Sequence, residues 1–214
     1  MKPQQQPAQD SAALEELGRA SVQVVHDLKN QLNGLKLYAT FLRKRAARAE
    51  RPADEIETID KIIAGLERAA ADTHALVRYG RPTELNARPD SDLAQILSAA
   101  GADTSLPPGQ VFLGDFDAQA LTEALRIIGA AVGGKGDVSS GPAVRLSRAE
   151  DGGGPAALVE WETARGAQIC DAASSLSGSD GLRVALATKI VRAHGGQLEH
   201  AADALRVRLP IKES

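Results

Sequence analysis

A histidine beside a carboxylate is the pair of neighbours in this sequence best suited to chemistry. His26 is followed by Asp27, and Asn30 comes one helical turn later on roughly the same side. A neutral imidazole is a nucleophile, and an adjacent carboxylate can fix its tautomer through a hydrogen bond. Lys29 lies in the same turn and can offset the charge of an anionic group. These four residues are the candidate catalytic residues, and the alternative is that His26 is an ordinary exposed helix residue.

Two long helices must position His26. Apolar residues at steps of three, four or seven predict a helix through Val22–Leu42 that ends near Ala49. A Pro-containing turn follows, and Asp54 is expected to cap a second helix. The expected seams are Val25, Leu28, Leu32, Leu35 and Leu42 in the first helix, and Ile56, Ile59, Ile63, Leu66, Ala70, Thr73 and Val77 in the second.

An antiparallel hairpin of two such helices cannot bury both seams by itself. A homodimer, which makes a four-helix bundle, is the simplest way to cover them. The hairpin is expected to occupy residues 12–82, after a Gln- and Pro-rich disordered tail over residues 1–11. The fold class predicted for the whole chain is therefore α+β, because residues 88–214 have a different pattern.

Short amphipathic helices and alternating strands fill residues 88–214, which predicts helices packed on one sheet. A polar linker is expected over Asn86–Asp92. The expected helices are Leu93–Ala100, Asp117–Val132 and Gly181–His194, and the expected strands are Gln110–Leu113, Ala143–Ser147, Ala157–Glu162, Gln197–His200 and Ala204–Leu209.

The composition excludes several classes of protein. A net charge of −3 and 3% aromatic residues leave neither a basic surface nor a stacking platform for nucleic acid. Cys170 is the only cysteine, so a disulfide framework within one chain is excluded. The sequence has no apolar run of the roughly 20 residues that cross a membrane, and no apolar signal core. The expected location is the cytoplasm, with no membrane partner.

Two stretches resemble motifs of bacterial sensor histidine kinases. His26 to Leu32 resembles their H-box, with Gln31 in place of the usual Pro. Gly181 to Glu199, with its Ala-His-Gly-Gly turn, resembles the region around their last glycine box. The resemblance covers most of residues 13–211. It implies a dimerisation and phosphotransfer hairpin followed by an ATPase-type α/β sandwich.

The residues that bind nucleotide in that family are replaced in this sequence. Ala130 stands where a helix normally supplies an Asn for Mg²⁺ and the phosphates, and Asp117–Val132 contains no Asn at all. The other departures are Thr163 where an Asp reads adenine, Arg165 and Ala167 where glycines are usual, and Asp180 beside Gly181, the one glycine left in the last box. A degenerate ATPase-like domain, without nucleotide chemistry, is therefore expected.

That combination resembles the bacterial histidine phosphotransferases that look like histidine kinases. The resemblance implies that His26 is the phosphoacceptor and carries a phosphoryl group between aspartates of response-regulator receiver domains. It implies that Asp27, Lys29 and Asn30 assist, that Mg²⁺ is brought by the receiver, and that this chain binds no cofactor or metal. Receivers are expected to dock around Gln23, Lys29, Asn30 and Asn33.

Two other functions stay open. One is an ATP-dependent sensor histidine kinase with a divergent nucleotide site, and the other is a non-catalytic dimeric adaptor. Within the phosphotransferase interpretation, His74 on the second helix is a rival phosphoacceptor, although no acidic residue follows it.

Overall fold

The structure is a computed structural model of the 214-residue chain. It describes residues 6–49, 51–105, 110–133, 143–151 and 154–213, without the side chains of residues 6–24, 26, 105, 150 and 151. The chain divides into two compact units, Met1–Arg81 and Pro82–Ser214, and its α+β class is confirmed. Among the described residues, no helix is long and apolar enough to cross a bilayer.

Unit 1 consists of helix α1 (Gln6–Arg48) and helix α2 (Ala53–Gly80), which contact each other. Lys36 Nζ lies 2.7 Å from Glu67 Oε1, and Arg43 pairs with Asp60. Moving seven residues forward on α1 thus moves seven residues back on α2, so the two helices are antiparallel. These ion pairs are half-exposed, so they specify register more than they stabilise the pair.

Both helices begin earlier than expected. A disordered tail was expected over residues 1–11, but α1 begins at Gln6; residues 1–5 lie outside the described part of the chain. Pro7 falls in the first turn, where its missing N–H would have had no partner within the helix. The expected cap, Asp54, is also wrong, because α2 already begins at Ala53 and the carboxylate instead accepts from the backbone N–H of Glu55 at 3.0 Å.

The seam of α1 divides into two rows. Val25 and Leu32 are half-buried on the side that contacts α2. Leu28, Leu35 and Leu42, spaced by seven residues, are 46%, 53% and 54% exposed in the single chain. An exposed heptad row of leucines indicates a surface that is complete only when something covers it.

A second exposed row follows α2. Ile62 and Leu76 are 52% and 43% exposed, and the ion-pair register brings them within one residue of the levels of Leu42 and Leu28. Viewed from its own N-terminus, each helix carries its exposed row on the same side of its contact residues. Because the two helices run in opposite directions, the two rows lie on the same face of the pair. We call Leu28, Leu35, Leu42, Ile62 and Leu76 the open apolar row.

Unit 2 contains a five-stranded mixed sheet in the order β2-β4-β5-β7-β6, and a two-stranded antiparallel sheet of β1 and β3. Only the β2–β4 pair is parallel in the larger sheet. The strands are β1 (Arg88–Asp92), β2 (Asp103–Ser105), β3 (Leu113–Phe116), β4 (Ala143–Asp151), β5 (Gly154–Glu162), β6 (Gln197–Ala201) and β7 (Ala204–Pro210). The helices are α3 (Leu93–Ala99), α4 (Ala118–Gly133), α5 (Gly166–Ser174) and α6 (Gly178–Ala193).

One face of the larger sheet forms the core. Val159 lies opposite Leu146 and Val207, and all three are buried. The alternate residues point the other way: Glu160 Oε1 accepts from Arg206 Nε at 2.6 Å across the outer face. This period-two alternation is what a sheet needs when helices cover one side only.

The smaller sheet corrects two expectations. Strand β1 lies within the expected linker Asn86–Asp92, and β3 replaces the expected strand Gln110–Leu113. The polar sequence of β1 has little strand propensity, so its pairing with β3 and its contacts determine its conformation. Lys212 Nζ lies 2.8 Å from Asp115 Oδ1 and 2.9 Å from Asp90 Oδ1, and these hydrogen bonds raise the pKa of Lys212, with Asp115 contributing most.

The Ala-His-Gly-Gly turn ends α6 in a Schellman motif. Gly196 N donates to Val191 O at 3.0 Å, and Gly195 N donates to Arg192 O at 2.9 Å. Gly195 has φ +75°, a left-handed conformation that favours glycine. This geometry explains Gly195, and a Cβ at Gly196 would overlap the carbonyl oxygen of Arg208, so both glycines have a structural role without any ligand.

His194 in that turn is buried and connects α6 to the start of α4. Its Nδ1 lies 2.8 Å from Ile190 O, and its Nε2 accepts from Asp117 N at 3.0 Å. These partners fit the neutral imidazole with its proton on Nδ1. The Asp117 carboxylate caps α4 through Ala120 N and also accepts from Asn86 N, at 3.0 and 2.9 Å.

Replacing Asp117 with Ala is expected to cost about 1–2 kcal/mol of unfolding free energy near neutral pH, because the α4 cap is lost. The hydrogen bond from the Ala120 N–H is the largest of several causes that hold the pKa of Asp117 below 3.8. A lowered folded-state pKa stabilises the fold above the unfolded value, and this stabilisation is lost as the pH falls through the lowered pKa.

Urea unfolding of both proteins at a series of pH values tests this expectation. The difference in unfolding free energy should be constant near neutral pH and shrink below about pH 4. Asp103→Ala, at an exposed carboxylate in β2, is the control and should change little. A difference for Asp117→Ala that persists unchanged into strong acid would contradict the proposed linkage.

Candidate functional site

Position 26 lies in α1, but the side chain of His26 is outside the described residues. At about 100° per residue, position 26 shares one side of the helix with Asn30, Asn33 and Leu37. All three of these side chains are exposed, and Leu37 is 69% exposed. Leu35 of the open apolar row follows position 26 by nine residues, which is about 180° around the helix. The side of His26 and the open row are therefore opposite faces of α1.

The other candidate catalytic residues surround position 26 differently. Asn30 lies one turn on and on the same side. Asp27 is exposed and lies about 100° to one side of position 26, and Lys29 is half-buried on the other side, toward α2. The structure thus brings Asn30 into line with position 26, with Asp27 and Lys29 on its two flanks. The side chain of Gln23 is outside the described residues.

Unit 2 contains a cavity of about 550 Å³ between α4, α5 and α6. Ala130 and Ala131 of α4 line this cavity. The position at which Ala130 was expected in place of an Asn therefore faces a cavity. Asp180 is the only carboxylate among its described lining residues. The described residues also contain no group of three or more His, Cys, Asp or Glu side chains placed to hold a metal ion.

Thr163, expected in place of the adenine-reading Asp, does not line this cavity. Its hydroxyl oxygen accepts from the backbone N–H of Arg165 at 3.1 Å, just before α5. The hydroxyl is therefore used within its own turn, and the residue that does reach the cavity from that turn is Arg165.

Gly181, expected to be the one remaining glycine of the last box, is a helix-packing residue in the structure. A Cβ at this position would overlap the carbonyl oxygen of Ala172 on α5. The close approach of α5 to α6 thus depends on a missing side chain.

Gly181→Ala is expected to destabilise unit 2 by about 1–3 kcal/mol, because overpacking forces α5 and α6 apart. The measurement is thermal unfolding followed by circular dichroism. Gly34→Ala in α1 is the matched control: an added Cβ there meets nothing within 4 Å, so the change should stabilise its helix by up to about 1 kcal/mol. Equal melting curves for the native protein and Gly181→Ala would contradict the packing role.

Helix α5 supplies cavity residues that the sequence analysis missed. Ile169 and Ala173 are buried and four residues apart, and Ala172 is half-buried beside them. This spacing is helical, and it was the available signal. The helix was not predicted because it is only nine residues long and is flanked by glycines and serines, which are typical of loops.

Searches of protein-family models and of curated proteins gave no match to the sequence. Among solved structures, full-length ShkA in complex with AMPPNP matches with a TM-score of 0.60 and 16% identity, over 90% of this chain and 45% of that one. The histidine kinase AdeS from Acinetobacter baumannii gives 0.45 and 12%, over 83% and 96% of the two chains. The histidine kinase domain of the E. coli osmosensor EnvZ gives 0.35 and 19%, over 62% and 96%.

The chain spans less than half of the length of ShkA. At these identities the likeness concerns the fold, and ShkA is the comparison with a TM-score above 0.5 among the three reported. The two-helix unit and the α+β unit together therefore have a histidine-kinase-like fold.

Proposed function

We propose that this protein is a histidine phosphotransferase of a two-component phosphorelay. The observation that carries the proposal is the α4 wall of the cavity, where Ala130 and Ala131 offer no oxygen to a metal ion. The histidine-kinase-like fold and the H-box-like stretch from His26 to Leu32 supply the rest of the argument. Together they favour a protein that keeps the phosphoacceptor and has lost the ATP chemistry.

The proposed reaction has two transfers. A neutral ring nitrogen of His26 attacks the phosphorus of an aspartyl phosphate on one receiver, the P–O bond to that aspartate breaks, and a carboxylate leaves. The imidazolium releases its ring proton, which leaves a phosphohistidine. The ring then takes its proton back, a carboxylate oxygen of an aspartate on the second receiver attacks the phosphorus, the P–N bond breaks, and neutral imidazole leaves. Mg²⁺ held by each receiver would neutralise the phosphoryl oxygens.

The neighbouring residues have supporting roles in this proposal. Asp27 would accept a hydrogen bond from the second ring nitrogen and take up its proton. Asn30, in line with position 26, would orient the receiver or a water molecule at the phosphoryl group. Lys29 is half-buried beside α2, so it would act through its charge rather than by direct contact.

A homodimer is part of the same proposal. The open apolar row has the seven-residue spacing of a helical bundle and is about half-exposed in one chain. Fully burying a Leu or Ile side chain is worth about 1.5–3 kcal/mol, so two copies of this row provide a strong drive to associate. A second copy on this face makes a four-helix bundle and leaves the opposite side, with position 26, Asn30 and Leu37, open for a receiver.

An ATP-dependent kinase is the second candidate, because ShkA shares the fold and binds AMPPNP and because a cavity remains in unit 2. Titration calorimetry with ATP and Mg²⁺ separates the two candidates. We expect no saturable heat, because Ala130 and Ala131 offer no metal ligand from α4 and Thr163 does not line the cavity. Saturable binding together with phosphorylation of His26 from ATP would replace our proposal with the kinase.

A further inference from the structure

The lining of the cavity of unit 2 includes apolar side chains, two arginines and one aspartate. Phosphotransfer through His26 does not require this cavity. We propose that it binds a small molecule with an apolar body and a single anionic group. This inference goes beyond the proposed function, because it assigns a ligand to the unit that does not carry the phosphoacceptor. Three properties of the cavity support it: its volume, its apolar walls and the charged residues in its lining.

The volume and walls fit an apolar body. At about 550 Å³ the cavity lies within the range of pockets that hold small organic ligands. Ile127 and Ala131 of α4 face Ile169 and Ala172 of α5, with Val184 of α6 between them. The two alanines leave space where larger side chains would fill the gap between the helices. A ligand that replaces water there would gain from burial of its apolar surface.

The charges fit one anionic group. Arg165 precedes α5 and Arg183 lies on α6, so two separate elements bring arginines to the lining of the same cavity. A guanidinium binds a carboxylate, phosphate or sulfonate through charge-assisted hydrogen bonds. Asp180 also lines the cavity, and its carboxylate limits the negative charge that a bound ligand can carry there, which disfavours a triphosphate.

The fluorescent probe 8-anilinonaphthalene-1-sulfonate tests the proposal on the full chain, because it combines an apolar body with one sulfonate. We expect saturable binding of one probe per chain. Ala131→Trp, which fills the cavity, should abolish this binding. Ala193→Trp, at an exposed position at the end of α6, is the matched control and should bind as the native protein does.

A second test replaces the charged residues of the cavity and leaves its apolar walls unchanged. Arg165→Ala with Arg183→Ala should weaken probe binding by about tenfold or more, since hydrogen bonds to charged groups are lost. Arg192→Ala, at an exposed arginine of α6 outside the cavity, should change it less than twofold. Probe binding that is absent, or equal in the native protein, Ala131→Trp and the double arginine variant, would overturn the proposal.

Competition identifies the class of anion. Decanoate or decyl phosphate, below the concentration at which they form micelles, should displace the probe at least tenfold better than decanol, and the better of the two shows whether the site prefers a carboxylate or a phosphate. Equal displacement by decanol would overturn the anionic part of the proposal. Displacement by ATP with Mg²⁺ would overturn the ligand class. Failure of His26 labelling with intact probe binding would overturn only the phosphotransferase proposal.

Discussion

Replacing His26 with Ala is expected to abolish the transfer of labelled phosphate from a phosphorylated receiver domain to this protein. The imidazole nitrogen is the atom that would form the new bond to phosphorus, and no other group of the candidate site can take its place. The native protein should acquire a label that is stable to alkali and labile to acid. The label in His26→Ala should fall to background, a loss of at least about a hundredfold.

His74→Ala is the control for this experiment. His74 is exposed on α2 and no acidic residue follows it, so its loss should leave labelling unchanged. Circular dichroism of both variants verifies that the helices persist. Label that remains in His26→Ala and disappears in His74→Ala would move the phosphoacceptor to α2. Label that remains in both variants would contradict His26 as the required phosphoacceptor.

Replacing Leu35 with Asp is expected to convert a homodimer into a monomer of 22.4 kDa. Leu35 is the middle leucine of the open apolar row and is 53% exposed in the single chain. In a bundle it would be covered by the second copy, and burying an unpaired carboxylate there costs several kcal/mol, twice over in a symmetric dimer. Sedimentation equilibrium at micromolar concentrations gives the mass directly.

Leu37→Asp is a control of the same chemistry on the same helix. Leu37 is 69% exposed and lies on the opposite side from Leu35, on the side of position 26. The mass of this variant should equal that of the native protein, although docking of a receiver should weaken. A native protein that is monomeric, or a Leu37→Asp that dissociates while Leu35→Asp does not, would contradict the assignment of the open apolar row.

The hairpin shows how far spacing alone can predict structure. The residues chosen in α2, such as Ile59, Ile63 and Leu66, are half-buried in the structure, because steps of three and four identify the contact face. Ile62 and Leu76 were missed. A helix that is covered on two sides carries two adjacent apolar rows, and periodicity merges them into one seam. Only the antiparallel register separates the row facing α2 from the open one.

Unit 2 was harder to predict for two physical reasons. Strand β1 has a polar sequence, and its pairing with β3 determines its conformation rather than any pattern of its own. The absence of Asn from Asp117–Val132 was visible in the sequence, because any register of that stretch lacks one. The cavity beside Ala130 could not be predicted from the sequence, since it depends on how closely α5 approaches α6 at Gly181.

The most direct test of the central claim is a two-receiver relay. One receiver domain carrying labelled aspartyl phosphate is mixed with a second, unlabelled receiver and a small amount of this protein, and a parallel sample replaces the labelled receiver with labelled ATP and Mg²⁺. We expect label to reach the second receiver by way of an acid-labile form of this protein, and ATP to supply none. Label that arrives from ATP alone, or no transfer across the full set of receivers from the same genome, would contradict this claim.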